Sequence, residues 1–303
     1  MRSCSLPVSP VTLGTVQLGL DYGIANRTGK PDGEECFRIL DVAYERGITT
    51  FDTAIAYGDS QKVIGRWLES RKVKANVITK IPRIERGLDP QSCRRKIAGL
   101  LERSFSELNT DFLTGIMCHS SDTYGEYAQC LRDIVAAYMD KKKIGWFGLS
   151  VYSPVEITNL QGDSFLKGIQ VPGNMLDHRF LTMPENQLTE NIFVRSVFLQ
   201  GLLLMNPGQA EVKVAGAGRW LKALHAVARK HSLPMDQLAY RFVRSFSQVR
   251  SIVIGVETEK QIKSNIALVN MPGLPEAMVE EIRSVCFGVG EKIYNPSLWR
   301  QKN

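Results

Sequence analysis

Residues 33–52 read GEECFRILDVAYERGITTFD, and the two halves of this stretch follow different rules. From Gly33 to Arg46, Cys36, Leu40 and Ala43 recur at helical spacing, and Asp32-x-x-Glu35 at the start resembles a capping box. From Thr49 to Asp52 the chain is β-branched and aromatic and closes on a carboxylate, which predicts a short strand ending in a charge. A helix that hands over to a strand within a few residues is the unit of an alternating α/β fold.

Outward from this unit, the same alternation starts near residue 12 and continues past 270. Strands are predicted at Val11–Thr15, Thr49–Asp52, Asn76–Lys80, Gly115–His119, Gly145–Ser150, Lys167–Gln170, Ile192–Ser196 and Ser251–Ile254. Pro90 followed by Cys93, Ile97, Leu100 or Leu101, and Leu108 predicts a helix, as do Ala217–His231 and Leu233–Phe246, and Thr258-x-x-Gln261 opens another. Eight strands with intervening helices form either a closed barrel or an open doubly wound sheet. No GxGxxG follows the first strand, so the α/β class is read as a (β/α)8 TIM barrel. No Pro/Gly/Ser linker divides the chain, which predicts a single domain over residues 1–303, with 271–303 as a helix plus a substrate loop.

With 303 residues, 44% hydrophobic and 23% charged, the chain can bury a large core, and disorder is excluded as its main state. A formal charge of +7 is compatible with a small phosphate-bearing ligand. The longest basic runs, Arg94 to Lys96 and Lys141 to Lys143, read as solvated helix faces without interleaved aromatics, so no nucleic-acid partner is expected. The six cysteines at 4, 36, 93, 118, 130 and 286 form no CxxC pair and no zinc spacing with the four histidines, so no metal site is expected. They suit a reducing compartment. The opening MRSCSLPVSP lacks the apolar core of a signal peptide, and no apolar run of about 18 residues occurs, so the expectation is a cytoplasmic protein without a membrane partner.

In a barrel of this kind chemistry gathers where strands end at the C-terminal face. Four apolar runs close on polar groups: Asp52, Lys80, His119 and Gln170. Taken singly, each has a structural explanation: Asp52 caps a loop, Lys80 snorkels, and His119 is a hydrogen-bonded rim residue. Together they converge on one mouth, where an aspartate and a lysine that are both desolvated are expected to pair. Tyr57, five residues beyond Asp52 in the loop over that mouth, adds a phenol. An ammonium about 4 Å away at an effective dielectric of about 20 favours phenolate by up to about 4 kcal/mol, about three pKa units, with burial offsetting part. The expectation is a tyrosine acid whose pKa is lowered by Lys80.

These residues resemble the aldo-keto reductases. Phe51-Asp52-Thr53-Ala54-Ile55-Ala56-Tyr57-Gly58-Asp59-Ser60, followed by Val63-Ile64-Gly65 and Leu68, is similar to the signature FDTAxxYGxSExxLGxxL, with Gln61 in place of its Glu. The family tetrad of Asp, Tyr, Lys and His falls on Asp52, Tyr57, Lys80 and His119. By this resemblance, Tyr57 protonates a carbonyl oxygen as hydride arrives from a nicotinamide cofactor, Lys80 paired with Asp52 tunes it, and His119 orients the carbonyl.

The resemblance extends to the cofactor site. Gln170 and Asn174 in IQVPGNMLDHR resemble the strand-six motif that holds the carboxamide, with Gly173 at a usually bulky position, and Ser150 is implied beside them although Val151 replaces the usual Asn. Arg195-Ser196-Val197-Phe198-Leu199-Gln200-Gly201 resembles the strand-seven segment along the cofactor, with Arg195 in place of the aromatic that stacks on the nicotinamide. Gly255, Glu257, Thr258, Gln261 and Asn265 resemble the pattern that grips the adenosine end, where Thr258 at a helix start suits an anion. The resemblance implies NADPH. Glu257, standing where NADPH-preferring members carry Arg, makes NADH compatible as well, while Lys260 and Lys263 are basic neighbours that favour NADPH. The opening, with Gly14 and Thr15 in LGTVQLG, resembles a bacterial subgroup linked to sugar and surface-polysaccharide metabolism, so the implied substrate is a small sugar-like aldehyde or ketone. Two other readings stay open: a slow cofactor-sensing protein on the same barrel, raised by Arg195, Gly173 and Val151, and an unrelated barrel hydrolase or lyase. The sequence leaves the oligomeric state and the direction of reaction open.

Overall fold

Eight short parallel strands carry the fold: β1 (Val11–Gly14), β2 (Thr50–Asp52), β3 (Asn76–Ile81), β4 (Leu113–Cys118), β5 (Ile144–Ser150), β6 (Leu166–Pro172), β7 (Asn191–Arg195) and β8 (Val249–Gly255). The computed structural model of the chain describes residues 6–158, 160, 162–184 and 189–299. Each strand pairs with the next, and β1 pairs with β8 through Leu13 and Ile254, so the sheet closes into a (β/α)8 barrel. The connecting helices are α1 (Val16–Gly19), α2 (Gly33–Glu45), α3 (Ser60–Arg71), α4 (Pro90–Leu108), α5 (Ser121–Asp140), α6 (Pro154–Thr158), α7 (Pro207–Lys213), α8 (Ala217–Lys230) and α9 (Met235–Arg244). After β8 come α10 (Glu259–Ile266), α11 (Glu276–Val285) and α12 (Glu291–Tyr294).

All eight predicted strands are present, with shifted ends. β3 and β6 continue past Lys80 and Gln170, whereas β4 stops at Cys118, one residue before His119. In a parallel barrel buried on both faces, pairing sets where a strand ends, and composition marks it only to within a residue or two. The helix expected from Leu233 begins at Met235, because Pro234 keeps the residue before it out of the helical region. The sequence pattern did not announce α3 or α5. In α5 the helical period breaks at Tyr127, whose φ of −118° marks a kink.

Side chains two residues apart on a strand share a face, so the barrel interior stacks in layers. Ile78, Met117, Phe193 and Val253 form one inner layer, and Trp146 packs against it, stacked on Phe193 at 5.7 Å. Gly115 and Gly168 give the indole its room: a Cβ at either would lie within 2.4 Å of a ring atom. Two residues further along the same faces come Lys80 above Ile78 and Arg195 above Phe193. The layer over the plug is therefore polar, and it is the floor of the mouth.

Between barrel and helices lies the main apolar core, with Leu13, Phe51, Trp67, Phe147, Leu221 and Phe242 among its buried members. Asp32 caps α2 by accepting from Glu35 N at 2.8 Å, while the Glu35 carboxylate, instead of returning to close the box, accepts from Glu259 N. The helix start thereby anchors α10. Among the described residues, no helix is long and apolar enough to cross a membrane. Cys36, Cys93, Cys118, Cys130 and Cys286 are free, and Cys4 lies outside the described residues. Within residues 271–299, Val279, Ile282 and Cys286 are buried and α11 packs on α8; residues 300–303 of the predicted C-terminal segment lie outside the described residues.

Candidate active site

Asp52 ends β2 and points into the mouth, and Lys80 reaches it from β3. Lys80 Nζ donates to Asp52 Oδ1 at 2.5 Å and to the Thr53 carbonyl at 3.1 Å, and Gln170 Nε2 donates to the same carboxylate oxygen at 2.8 Å. Lys80 is wholly buried and Asp52 nearly so. The pairing expected from the cost of desolvating two charges is thus present, and removing either partner would strand the other.

Tyr57 is brought to this pair by backbone packing. Gly58 has a φ of +56°, and a Cβ there would fall 2.5 Å from the Gly19 carbonyl oxygen; a Cβ on Gly19 would fall 1.8 Å from the Tyr57 carbonyl oxygen. Only two glycines allow the α1 turn and the Tyr57 loop to touch. A hydroxyl network holds the loop from below, with Ser60 Oγ within 2.7 Å of Thr15 Oγ1 and 2.9 Å of Thr53 Oγ1. The result sets Tyr57 Oη 3.5 Å from Lys80 Nζ, and the His119 ring packs edge-on to the phenol at 5.9 Å between centroids. The four residues expected to form the tetrad meet at one place.

The electrostatics differ from expectation on one point. Burial raises the Tyr57 pKa well above the usual phenol value, the Asp52 carboxylate adds to the rise, and Arg195 pulls against it. The sequence reading credited Lys80 with lowering this pKa. In the structure the Asp52 carboxylate, at hydrogen-bond distance from the ammonium, cancels most of its field, and desolvation prevails. Burial likewise lowers the Lys80 pKa, against the pull of Asp52. His119 is pushed down to about 3 by burial, then by Lys80 and Arg195, so near neutrality its imidazole is uncharged.

From this point a cavity of about 880 Å³ runs to the start of α10. Of the residues expected at the cofactor, Gly14, Thr15, Gln170, Arg195, Ser196, Phe198, Gln200, Gly201, Gly255, Glu257, Gln261 and Asn265 line it, together with Asp52, Tyr57 and His119. Lys80, Ser150 and Thr258 do not reach its wall. Lys80 stands behind the phenol. Thr258 is spent as the N-cap of α10, accepting from Gln261 N at 3.2 Å, while Gln261 returns its side chain to Glu257 N at 2.7 Å. Ser150 sits beside Gln170 in the β5–β6 register, its Oγ buried and without a partner. The Gln17 Oε1, also buried and unpartnered, belongs to a residue on the cavity wall.

A cavity with the unpartnered Gln17 amide oxygen on its wall, the unpartnered Ser150 hydroxyl buried beside the wall residue Gln170, and a capped helix start at its far end fits a dinucleotide. Two loops form its roof. Residues 22–27 cover one side and 196–205 the other, joined by Ala25 N to the Gln200 carbonyl at 3.3 Å and Gln200 Nε2 to Tyr22 Oη at 3.1 Å. Ser196, Leu199 and Gln200 all take positive φ, between +49° and +64°, a local strain concentrated where the cavity is covered. Among the described residues, none after Asn265 lines the cavity, so these two loops shape its wall where the C-terminal loop was expected to.

The departures from the family pattern have structural reasons. Gly173 is required, since a Cβ would lie 2.6 Å from Val194 Cγ1. Gln61 is fully buried and donates to Thr79 Oγ1 at 3.0 Å, a place where a carboxylate would be desolvated. Asn174 serves its own loop, accepting from Leu176 N and Asp177 N and donating to the Ser196 carbonyl, and stays off the cavity wall. Sequence reasoning passed over Tyr22, Arg27 and Tyr152, which line the mouth. Tyr152 had a usable signal, an aromatic two residues past a strand end. Arg27 lies in a polar loop whose fold over the barrel no local pattern announces.

Known proteins place this architecture. The family model described as "Aldo/keto reductase family" matches residues 10–286. The uncharacterized oxidoreductase YqkF of Bacillus subtilis is 24% identical over 94% of both chains, and L-galactose dehydrogenase of Arabidopsis thaliana 23% identical over 94% of this chain and 92% of its own. Among solved structures, glycerol dehydrogenase AKR11B4 from Gluconobacter oxydans superposes with a TM-score of 0.73 at 19% identity, covering 100% of this chain and 96% of that one. The aldo-keto reductase AKR11C1 from Bacillus halodurans reaches 0.73 at 20% identity, covering 98% and 99%. These likenesses at low identity speak for the fold, and the family model covering nearly the whole chain speaks for the chemistry. The chain belongs to the aldo/keto reductase family and is an NAD(P)-dependent oxidoreductase acting on small-molecule carbonyl compounds.

Proposed function

We propose that Tyr57 is the general acid of this oxidoreductase, delivering its Oη proton to the carbonyl oxygen of a polar, sugar-like aldehyde or ketone. The convergence of Tyr57 Oη, the Lys80–Asp52 pair and His119 at one end of the cavity carries the reading. A bound reduced nicotinamide supplies hydride to the carbonyl carbon. Tyr57 adds the proton, so the carbonyl gains two electrons and two hydrogens and becomes an alcohol. The raised pKa of Tyr57 keeps it protonated until it is needed, and the Lys80 ammonium at 3.5 Å stabilises the phenolate left behind. Neutral His119 holds the carbonyl oxygen by hydrogen bonding without competing for the proton.

For the cofactor, Gln170 and Ser150 are assigned to the carboxamide. Gly14, Thr15, Arg195, Ser196, Phe198, Gln200 and Gly201 are assigned to the groove, and Gly255, Glu257, Thr258, Gln261 and Asn265 to the adenosine end. Lys260, on the wall of that end, supports NADPH, and Glu257 on the same wall keeps NADH usable; Lys263 is engaged by Glu259. The relatives named L-galactose dehydrogenase and glycerol dehydrogenase act, by those names, on polyhydroxylated compounds, which supports a sugar-like substrate. Five free cysteines among the described residues support a reducing, cytoplasmic setting.

The test is Tyr57→Phe assayed against a panel of aldoses, keto sugars and simple aldehydes. Reduction is expected to fall by about 10²- to 10⁴-fold while the dissociation constant for NADPH stays within about twofold. The wild-type rate is expected to hold level with pH up to about 10, since the acid must be protonated and its pKa lies above the usual phenol value. An active Tyr57→Phe variant would remove Tyr57 from the mechanism. Tight cofactor binding with no turnover on any carbonyl would assign the barrel to cofactor sensing.

A further inference from the structure

We propose that Arg195 biases this site toward the reduced form of its nicotinamide cofactor, holding NAD(P)H more tightly than NAD(P)+. The inference rests on the functional reading above, in which the redox ring lies beside Tyr57. Arg195 ends β7 with its side chain on the same face as Phe193, directed into the mouth. The guanidinium crosses toward the end of β5: Nη2 donates to the Val151 carbonyl at 3.2 Å, Nη1 donates to Ser196 Oγ at 3.5 Å, and Cζ stands 4.2 Å from the centre of the Tyr152 ring. It lines the same cavity as Tyr57 and His119. Among the described residues no Asp or Glu forms an ion pair with it.

The charges around the reacting position then sum simply. Asp52 and Lys80 share one proton between them and are jointly neutral, whichever atom holds it. Near neutrality Tyr57 is a phenol and His119 an uncharged imidazole. Arg27 lines the same cavity, but it is Arg195, a positive charge with no counter-ion among the described residues, whose influence reaches Tyr57, His119, Tyr22 and Lys80 alike. A ring that passes hydride to a carbonyl held at Tyr57 Oη must lie within the same range. The reduced ring is neutral and the oxidised ring carries a positive charge, so only the oxidised ring is repelled. At an effective dielectric of about 20, a separation of several ångströms and discounted for the partly exposed guanidinium, the bias is about tenfold in affinity. Oxidised cofactor therefore leaves readily after carbonyl reduction, and alcohol oxidation starts from a weaker complex.

The experiment titrates the intact protein separately with NADPH, NADP+, NADH and NAD+ by calorimetry, without substrate. Relative to wild type, Arg195→Met is expected to lower the oxidised-to-reduced ratio of dissociation constants about tenfold, and Arg195→Lys to retain most of it. Because the phosphates are common to both forms, their salt dependence cancels in the ratio. The wild-type ratio should therefore shrink between about 0.05 M and about 0.5 M salt. A ratio unchanged in Arg195→Met overturns the proposal, and should that variant not fold, a wild-type ratio indifferent to salt does so. If the wild-type protein binds none of the four, it is the cofactor reading of the cavity that fails.

Discussion

His119 stores a dependence of stability on acid. Its pKa is about 3 in the folded protein against about 6.5 in the unfolded chain, so above pH 6.5 neither state holds the proton. As pH falls below that value the unfolded chain takes up the proton first, and folding weakens by up to about 1.4 kcal/mol per pH unit until the folded imidazole titrates in turn. Replacing it by His119→Gln should make the urea-unfolding free energy fall less steeply between pH 6 and pH 5, by about that amount per unit; parallel slopes would show that the imidazole is hydrated in the folded protein. Glu257, proposed for the adenosine end, is a second residue at which charge is open to test. Exchanging it in Glu257→Arg should move the NADPH-to-NADH ratio of kcat/KM upward by about tenfold or more, since a repulsion is replaced by a charge-assisted hydrogen bond. No change in that ratio would mean the 2′ position lies elsewhere.

At the scale of elements, the site depends on how two short pieces touch. The α1 turn and the Tyr57 loop meet backbone to backbone at Gly19 and Gly58. In Gly58→Ala the new methyl collides with the Gly19 carbonyl at a φ that a non-glycine residue rarely adopts. The loop must move, carrying the phenol with it. Misplacing a reacting group by about 1 Å costs on the order of 10²-fold in rate, so the variant should lose carbonyl reduction to that extent. Nicotinamide-cofactor binding, proposed along β7 and α10, should change little in a fluorescence titration. Equal activity in wild type and variant would show that the loop tolerates displacement.

For the whole molecule, barrel closure sets the distances on which the chemistry rests. Trp146 plugs the bore between Gly115 and Gly168, under the polar layer that holds Lys80 and Arg195. Gly168→Ala puts a Cβ 2.4 Å from the indole and should cost about 1–3 kcal/mol by overpacking, read from the urea midpoint. Combining it with Trp146→Phe should recover part of the loss, because the smaller ring makes room. Additive losses in the double variant would place the strain elsewhere in the barrel.

Much of this was legible locally. The helix-to-strand unit at 33–52 and its repetition sufficed for the barrel, because hydrophobic period is a property of neighbouring residues. Strand-end positions sufficed to pick out Asp52, Lys80, His119 and Gln170, because strand ends on a closed barrel share one face. Thr258 was legible as a helix cap from its spacing to Gln261. Folding alone decided the rest. It set the sign of the Tyr57 shift, which depends on how deeply the phenol is buried and on how closely Asp52 cancels Lys80. Closure of the barrel also left Arg195 beside Tyr152 with no counter-ion among the described residues and laid residues 22–27 over the cavity. Those outcomes are sums over groups distant in the chain, and Coulomb and desolvation energies are functions of separation in space, which sequence order does not contain.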